Sequence, residues 1–253
     1  MECKLCVAAC PVGAIGSDGA FDFAACFTHN YREFYGGFAN WVEQIAESKS
    51  IRDYRNRVSS PESASMWQSL SFGANYKSAY CMAVCPAGED VIAPFLTDRT
   101  LYLKDVVRPL QEKEETVYVV AASDAESHVA RRFPSKHAKR VGNGLNRLRS
   151  ISAFLMGLRL TFQRGQSKGL TATYHFIFTG DERRQATVII RDETVEVKEG
   201  RVGLADLEVT ADTRTWLRFL AHERNLIWAL LLRKIKLKGS PRLLLAFSKC
   251  FPS

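Results

Sequence analysis

The run Thr171-Ala-Thr-Tyr-His-Phe-Ile-Phe178, closed by Thr179-Gly180-Asp181, decides the fold of the C-terminal part of this chain. It is rich in β-branched and aromatic residues and ends on a turn signal, so it reads as a strand. Three similar runs follow: Gln185 to Arg191, Thr194 to Lys198 and Asp206 to Thr210. Turn residues separate them, notably Asp192-Glu193 and Glu199-Gly200. Asp212-Thr213 then makes a helix cap for Trp216, Leu217, Phe219 and Leu220. Asn225 begins a second helix carrying Ile227, Trp228 and Leu231. Lys234-Ile-Lys-Leu-Lys238 alternates as a last strand, and Gly239-Ser240-Pro241 opens a final helix with Leu243, Leu244, Leu245 and Phe247. Upstream, Ile151 to Phe162 sets Phe154, Leu155, Leu158 and Phe162 on one side of an amphipathic helix.

This order of sheet and helices resembles the sterol carrier protein 2 (SCP2) family. The segments that carry the resemblance are Tyr174-His-Phe-Ile-Phe-Thr-Gly180, Ala205-Asp-Leu-Glu-Val-Thr-Ala-Asp-Thr213 with Trp216, and Lys234-Ile-Lys-Leu-Lys-Gly239 with the leucine-rich helix after it. The resemblance implies a five-stranded sheet covered by helices on one side, and an apolar tunnel for an acyl chain or sterol. From the residues alone, the large apolar groups exceed what a small sheet needs. Phe176, Phe178, Val188, Ile190, Trp216, Phe219, Trp228, Leu244 and Phe247 are the expected lining of a lipid-binding cavity; taken singly, each also suits plain core packing. His175 and His222 stand in no metal or catalytic spacing and read as ordinary sheet or surface residues.

The other end of the chain has a different texture. Cys3-Lys-Leu-Cys6-Val-Ala-Ala-Cys10-Pro11 is echoed by Cys81-Met-Ala-Val-Cys85-Pro86, both reading C-x3-C-P. Ferredoxins use C-x2-C-x2-C-x3-C-P, with the fourth thiolate crossing to the second cluster. On that pattern the first cysteine falls just before Met1, so the chain is expected to begin inside the motif, as part of a longer protein. In the second copy Ser78 and Asn75 stand where cysteines belong. Cys26, alone in its segment, is the replacement candidate. Zinc favours paired C-x2-C units or cysteine with histidine, and a disulfide framework needs an oxidising compartment; neither suits this spacing in a chain without a visible export signal. The seventh cysteine, Cys250, reads as a packed free thiol in an apolar helix.

C-x2-C-x3-C-P, one isolated cysteine and then C-x3-C-P together resemble the dicluster domain of epoxyqueuosine reductase and reductive dehalogenases. The resemblance implies one or two 4Fe-4S clusters. Cys3, Cys6 and Cys85 would share the first, with a ligand supplied from before Met1. Cys10, Cys26 and Cys81 would share the second, with Ser78 in the fourth place. Two cubes want eight thiolates and the motifs offer six. The Ser78 oxygen, a three-iron cluster or an open iron site are the ways to complete the second; His29 is a lesser candidate ligand.

At 253 residues, with 46% hydrophobic and 25% charged content, the chain is ordinary globular material with room for two domains. The expected division is a ferredoxin-like domain over 1–96, a connecting segment over 97–149 and an SCP2-like domain over 150–253, an α+β protein overall. In the first domain Trp41, Val42, Ile45 and Ala46 mark a helix over Asn40 to Ser48. Residues 49–64 read as a polar loop, and Met66, Trp67 and Leu70 mark a short helix. Tyr31, Phe34, Tyr35, Phe38 and Trp41 are expected to form a dry aromatic shell or plain core. In the connecting segment Leu101 to Leu110 reads as helix and Thr116 to Ala121 as strand. The net charge is +8, yet no acid stands between Glu126 and Asp181, where ten cations fall from Arg131 to Lys168. The part of it from Arg131 past Pro134 to the Gly142-Asn-Gly144 break is expected to be mobile, and the whole is either a solvated linker or a surface for an anionic membrane or an acidic protein. It lacks interleaved aromatics, so a nucleic-acid groove is not expected. No apolar run reaches bilayer length and no signal peptide is seen, which points to the cytoplasm.

No Ser-His-Asp, Cys-His or phosphate-binding set is visible. The expected function is therefore electron transfer through iron–sulfur clusters, with a redox partner protein or upstream domain and an apolar ligand held by the C-terminal part. The alternative is a non-catalytic lipid carrier whose clusters are structural or redox-sensing. A third is a reductase acting at an open iron.

Overall fold

The computed structural model describes residues 3–30, 36–72, 80–87, 89–142, 148–221, 223, 229–230 and 232–252. Tyr31, Phe34, Tyr35, Ser78, His222, Ile227, Trp228 and Leu231, and with them the start of the helix expected from Asn225, lie outside them. The chain divides into two compact units, Met1–Gly142 and Asn143–Ser253.

The first unit is mainly helical. Its helices are α1 (Leu5–Ala9), α2 (Phe23–Asn30), α3 (Gly36–Glu47), α4 (Ile51–Arg57), α5 (Ser60–Phe72), α6 (Tyr80–Ala83), α7 (Glu89–Thr97), α8 (Arg99–Tyr102), a π segment (Leu103–Val107), α9 (Arg108–Glu112) and α10 (Asp124–Arg132). Two short strands, β1 (Thr116–Val119) and β2 (His137–Arg140), pair in parallel on either side of α10. Such a crossover buries the strand between layers, and Val117, Tyr118 and Val119 are all buried. Ser123 caps α10 by accepting from Glu126 N at 3.2 Å, and the Glu126 carboxylate reaches back to Ala122 N at 2.8 Å. This is close to the Ser-x-x-Glu box at a helix start, with the carboxylate on the amide one residue before the cap.

Two features of this unit differ from the sequence reading. Residues 97–142 are not a connection but part of the unit: Val117 and Val119 of β1 share a core with Cys10, Val12, Ala14 and Ala25. The small side chains around the cysteines cannot close a core themselves, and β1 supplies the bulk. Ile51–Arg57 is a helix where a polar loop is expected. Ser50 caps it at Asp53 N, Arg57 pairs with Asp53, and Trp41 Nε1 donates to Tyr54 Oη at 2.9 Å. No residue of α4 is buried, so no apolar period marks it.

In the second unit, five strands run in the order β5-β4-β3-β6-β7: β3 (Ala172–Thr179), β4 (Arg184–Arg191), β5 (Thr194–Glu199), β6 (Leu207–Asp212) and β7 (Ile235–Gly239). All pairs are antiparallel except β3 with β6. Alternation along each strand puts Tyr174, Phe176, Phe178, Val188, Ile190, Leu207 and Val209 on one face, fully buried. Against this face lie α11 (Ile151–Thr161), α12 (Thr213–Leu220) and α13 (Pro241–Cys250). Ser150 and the Glu182 carboxylate take the first amides of α11, and Asp212 caps α12 at Thr215 N. The described elements expected here are present, with ends shifted by a residue or two. His175 points to the other face, where Val202 O meets its Nε2 at 3.2 Å, and Cys250 is fully buried.

Candidate functional sites in the two units

A cavity of about 260 Å³ lies among the three helices of the second unit. Phe154 and Leu158 come from α11, Trp216, Phe219 and Leu220 from α12, and Leu244, Phe247 and Ser248 from α13, with Phe251 and Pro252 beyond it. The lining runs from fully buried Leu158 and Trp216 to exposed Ser248, where the cavity meets solvent. The rings hold one another: Trp216 lies 5.5 Å from Phe154 and 5.4 Å from Phe219, and Phe247 lies 4.5 Å from Phe251. Such interlocked rings keep a wall in shape without a ligand. Trp216 Nε1 is buried and meets no hydrogen-bond acceptor among the described residues.

Of the expected lining, Trp216, Phe219, Leu244 and Phe247 border the cavity. Phe176 and Phe178 belong instead to the sheet layer, packed at 5.6 and 5.8 Å against Trp216. Val188 and Ile190 are likewise buried core residues of β4. The hollow lies between helices rather than over strands, so strand side chains fill the core and helix side chains face the space. Phe154, Leu158 and Leu220 were legible as apolar helix positions but not as lining. Phe251 and Pro252 lie past the last helix and carried no signal.

The first unit holds six thiols, five of which fall in two neighbourhoods. α1 packs on α6, and Gln111 Nε2 of α9 donates to Ala8 O at 2.9 Å. Cys10 and Cys26 share one hydrophobic cluster; Cys3 packs against another that contains Tyr80, just before the second motif, and Val84 within it. The electrostatics follow the same division. Burial pushes the Cys26 thiol up to about 11, helped by the neighbouring Cys10 and Cys81 sulfurs. Burial also raises Tyr102, with Cys85 and Cys3 adding to it. Cys10, Cys26 and Cys81 thus form one neighbourhood, and Cys3 and Cys85 another, with Cys6 one turn along α1 from Cys10.

The chain around Cys10 is arranged for a buried sulfur. Burial pushes its thiol up, while the amides of Ala14, Val12, Ile15 and Gly13 turn toward it and oppose the rise. Ala14 N lies 3.3 Å from Sγ. Gly13 has φ +64°, and a Cβ there would stand 2.6 Å from the His128 ring, so only glycine closes this turn. His29 accepts from Tyr118 N through Nδ1 at 3.2 Å. In a neutral ring this contact leaves the proton on Nε2. Among the described residues no three Cys, His, Asp or Glu side chains converge closely enough to hold a single metal ion.

The basic stretch is not one free face. Lys136 is buried, bonded to Leu110 O, Lys113 O and Glu115 Oε1, the last at 2.7 Å. Lys139 pairs with Glu62 and Arg140 with Glu126. Arg149, Arg159, Arg164 and Lys168 belong to the second unit. No helix among the described residues is long and apolar enough to cross a membrane.

With the fold and both sites in view, comparison with known proteins bears on the second unit. Residues 159–252 match the model of the SCP-2 sterol transfer family, a span from the end of α11 through β3–β7 to the end of α13. No curated protein matches the chain. Among solved structures, the stereoselective inverting sec-alkylsulfatase Pisa1 from Pseudomonas sp. is 20% identical at a TM-score of 0.38. That likeness covers 46% of this chain and 18% of the sulfatase. Sterol carrier protein 2 like 2 from Aedes aegypti is 17% identical over 33% of this chain and 85% of its own, with a TM-score of 0.27. The apo sterol carrier protein 2 from Yarrowia lipolytica is 12% identical over 42% and 97%, with a TM-score of 0.34.

Proposed function

We propose that the second unit binds a single apolar chain between α11, α12 and α13. The observation that carries this is the ring-walled cavity of about 260 Å³ whose lining is mostly apolar. At roughly 30 Å³ per water-sized group, it takes roughly eight or nine methylenes. Pockets for drug-sized ligands run to roughly 300–1,000 Å³, so a medium-length chain suits this one better than a rigid sterol. At about 0.8 kcal/mol per methylene, eight carbons supply about 6 kcal/mol, a dissociation constant on the order of tens of micromolar.

Calorimetry with primary alcohols of increasing length tests this. Affinity should rise with each carbon to about nine and then level off, because further carbons remain in water. Leu220→Trp, which puts an indole into the lining, should abolish the binding. A series that never rises with chain length, or that ignores Leu220→Trp, sinks the reading.

A second reading applies to the first unit, that it carries iron–sulfur clusters for electron transfer. Three things support it: the two neighbourhoods of thiols, the amides turned toward Cys10 Sγ, and the C-x3-C-P spacing. A cube holds each thiolate on a different iron and spaces the sulfurs by its own width, so it does not call for the close convergence that a single ion needs. Cys3, Cys6 and Cys85 would hold one cluster and Cys10, Cys26 and Cys81 the other, each needing one ligand more. The clusters would supply one-electron chemistry. The protein keeps Cys10 dry behind Val12, Ala14 and Val117, and its amides favour the sulfur's charged form. Anaerobic reconstitution followed by iron and sulfide assay and EPR decides the matter: about eight irons per chain is expected, about four limits the reading to one site, and zinc without iron overturns it.

A further inference from the structure

An open cleft in the second unit lies apart from the cavity and shares no lining residue with it. It sits where the parallel strands β3 and β6 end and β7 begins, and it gathers Arg233, Lys234 and Lys236 with Asp212 and Thr215. Alternation along β7 buries Ile235 and leaves Lys236 and Lys238 exposed. Lys238 has a counter-charge, the Glu208 carboxylate at 2.9 Å. Lys236 is opposite Thr210 instead, and neither it nor Lys234 nor Arg233 pairs with a carboxylate among the described residues. The one acid of the described lining, Asp212, has Oδ1 committed to Thr215 N at 3.1 Å. Arg233 is held in place against local preference, with a φ of 54°. Arg233 N donates to Leu230 O and Lys234 N to Ala229 O, both at 2.9 Å. These bonds close a helix end on a left-handed residue, a place that glycine fills without strain. Strain at a position that brings a cation into a cleft points to a use outside folding.

We propose that this cleft binds a phosphate monoester, either a soluble one or the head of a lipid. Three cations against one carboxylate leave the described lining two charges positive. Like charges gathered without a counter-ion repel one another; a doubly charged phosphate balances them, and a carboxylate does not. A guanidinium takes two phosphate oxygens at once, and the two ammonium groups add compact charge. Thr179 and Thr210 add hydroxyls at the same cleft. The proposal stands whether or not the cavity holds an apolar chain.

Glycerol 3-phosphate, doubly charged at pH 8, is the soluble probe. The lipid probe is a phosphatidylcholine vesicle containing phosphatidate, which carries the same monoester. In 15N–1H spectra of the whole chain at low salt, a soluble ester should shift the amides of Thr210, Asp212 and Lys236 saturably. Acetate at equal ionic strength should bind about tenfold more weakly. Arg233→Gly removes the guanidinium and the strain together. It should weaken binding by about threefold while raising the melting temperature, so lost binding is not lost folding. Lys198→Gln, outside the cleft and paired with Glu196, should change nothing. Amide shifts without vesicle cosedimentation assign a soluble ester; cosedimentation that Arg233→Gly weakens assigns the lipid head. Binding of neither probe, or binding that Arg233→Gly leaves unchanged, overturns the proposal. So does acetate binding as tightly as glycerol 3-phosphate. A lower melting temperature in Arg233→Gly overturns it too, since Arg233 would then serve the fold.

Discussion

Lys136 shows how one side chain can tie a unit together. Its ammonium is fully buried and joins α9, the strand entry at Glu115 and, through Glu115, the Tyr80 hydroxyl at 2.6 Å. It also lies 5.4 Å from the Tyr80 ring, next to Cys81. Burial by itself would raise Glu115, but hydrogen bonds from Lys136 and Tyr80 outweigh it and hold the carboxyl below its ordinary value. A carboxyl depressed in the folded state contributes stability above its unfolded pKa of about 4.3, and that contribution fades as pH falls through the lower folded value. Lys136→Met should therefore destabilise the first unit by about 3 kcal/mol at pH 7, the cost of breaking a buried pair. The gap to the unaltered protein should narrow below about pH 4. Urea unfolding at pH 7 and pH 3.5 measures both, and a gap that stays constant would refute this account of the network.

Among the elements, the β4–β5 hairpin is held in its tightest form against local preference. Arg191 pairs with Thr194, so the loop is Asp192-Glu193, with φ of 51° and 56°. Two positive φ values make the turn whose twist suits antiparallel strands, and its favoured second residue is glycine. Glutamate there costs about 1–2 kcal/mol. The register survives because Val188 and Ile190 are already committed to the buried face, and a slip of one residue would expose both. Glu193→Gly should raise the melting temperature, by about 1 kcal/mol of added stability. A loss of stability would mean that Glu193 makes a contact the backbone geometry does not reveal. The helices opposite are set more firmly: α12 starts on the Asp212 carboxylate, and α11 has its first amides on Glu182. These caps fix where Trp216 and Phe154 face the cavity.

At the scale of the molecule, each unit has its own core. Ile151, Phe176 and Phe247 belong to one in the second unit, and two smaller clusters serve the first. Cys10 lies in one of those smaller clusters with Cys26 packed against it, and Cys3 packs against the other. On the iron–sulfur reading proposed above, bound iron should carry part of the first unit's stability and none of the second's. Scanning calorimetry of the reconstituted chain before and after iron chelation should show the first unit's transition falling by several degrees and the second's unmoved. If chelation leaves both transitions in place, the thiols do not hold clusters that matter to folding.

The strands and most of the helices of residues 150–253 could be read from the sequence alone, because alternation along Tyr174–Phe178, the cap at Asp212 and the proline opening the last helix at Pro241 are local signals. The spacing of Cys3, Cys6, Cys10, Cys81 and Cys85 was equally plain. Helix α4 was hidden, since a helix with no buried residue has no apolar period to betray it. The place of β1 was hidden too, because its partners, Cys10, Val12 and Ala25, lie far back along the chain. The cavity could not be located from the sequence. Phe176 and Trp216 are equally apolar as letters, and only the packing of three helices over the sheet leaves space beside one and none beside the other. Sequence determined which residues are apolar and where elements begin; the tertiary structure decided which of them meet, because voids and unpaired donors arise from contacts between distant segments.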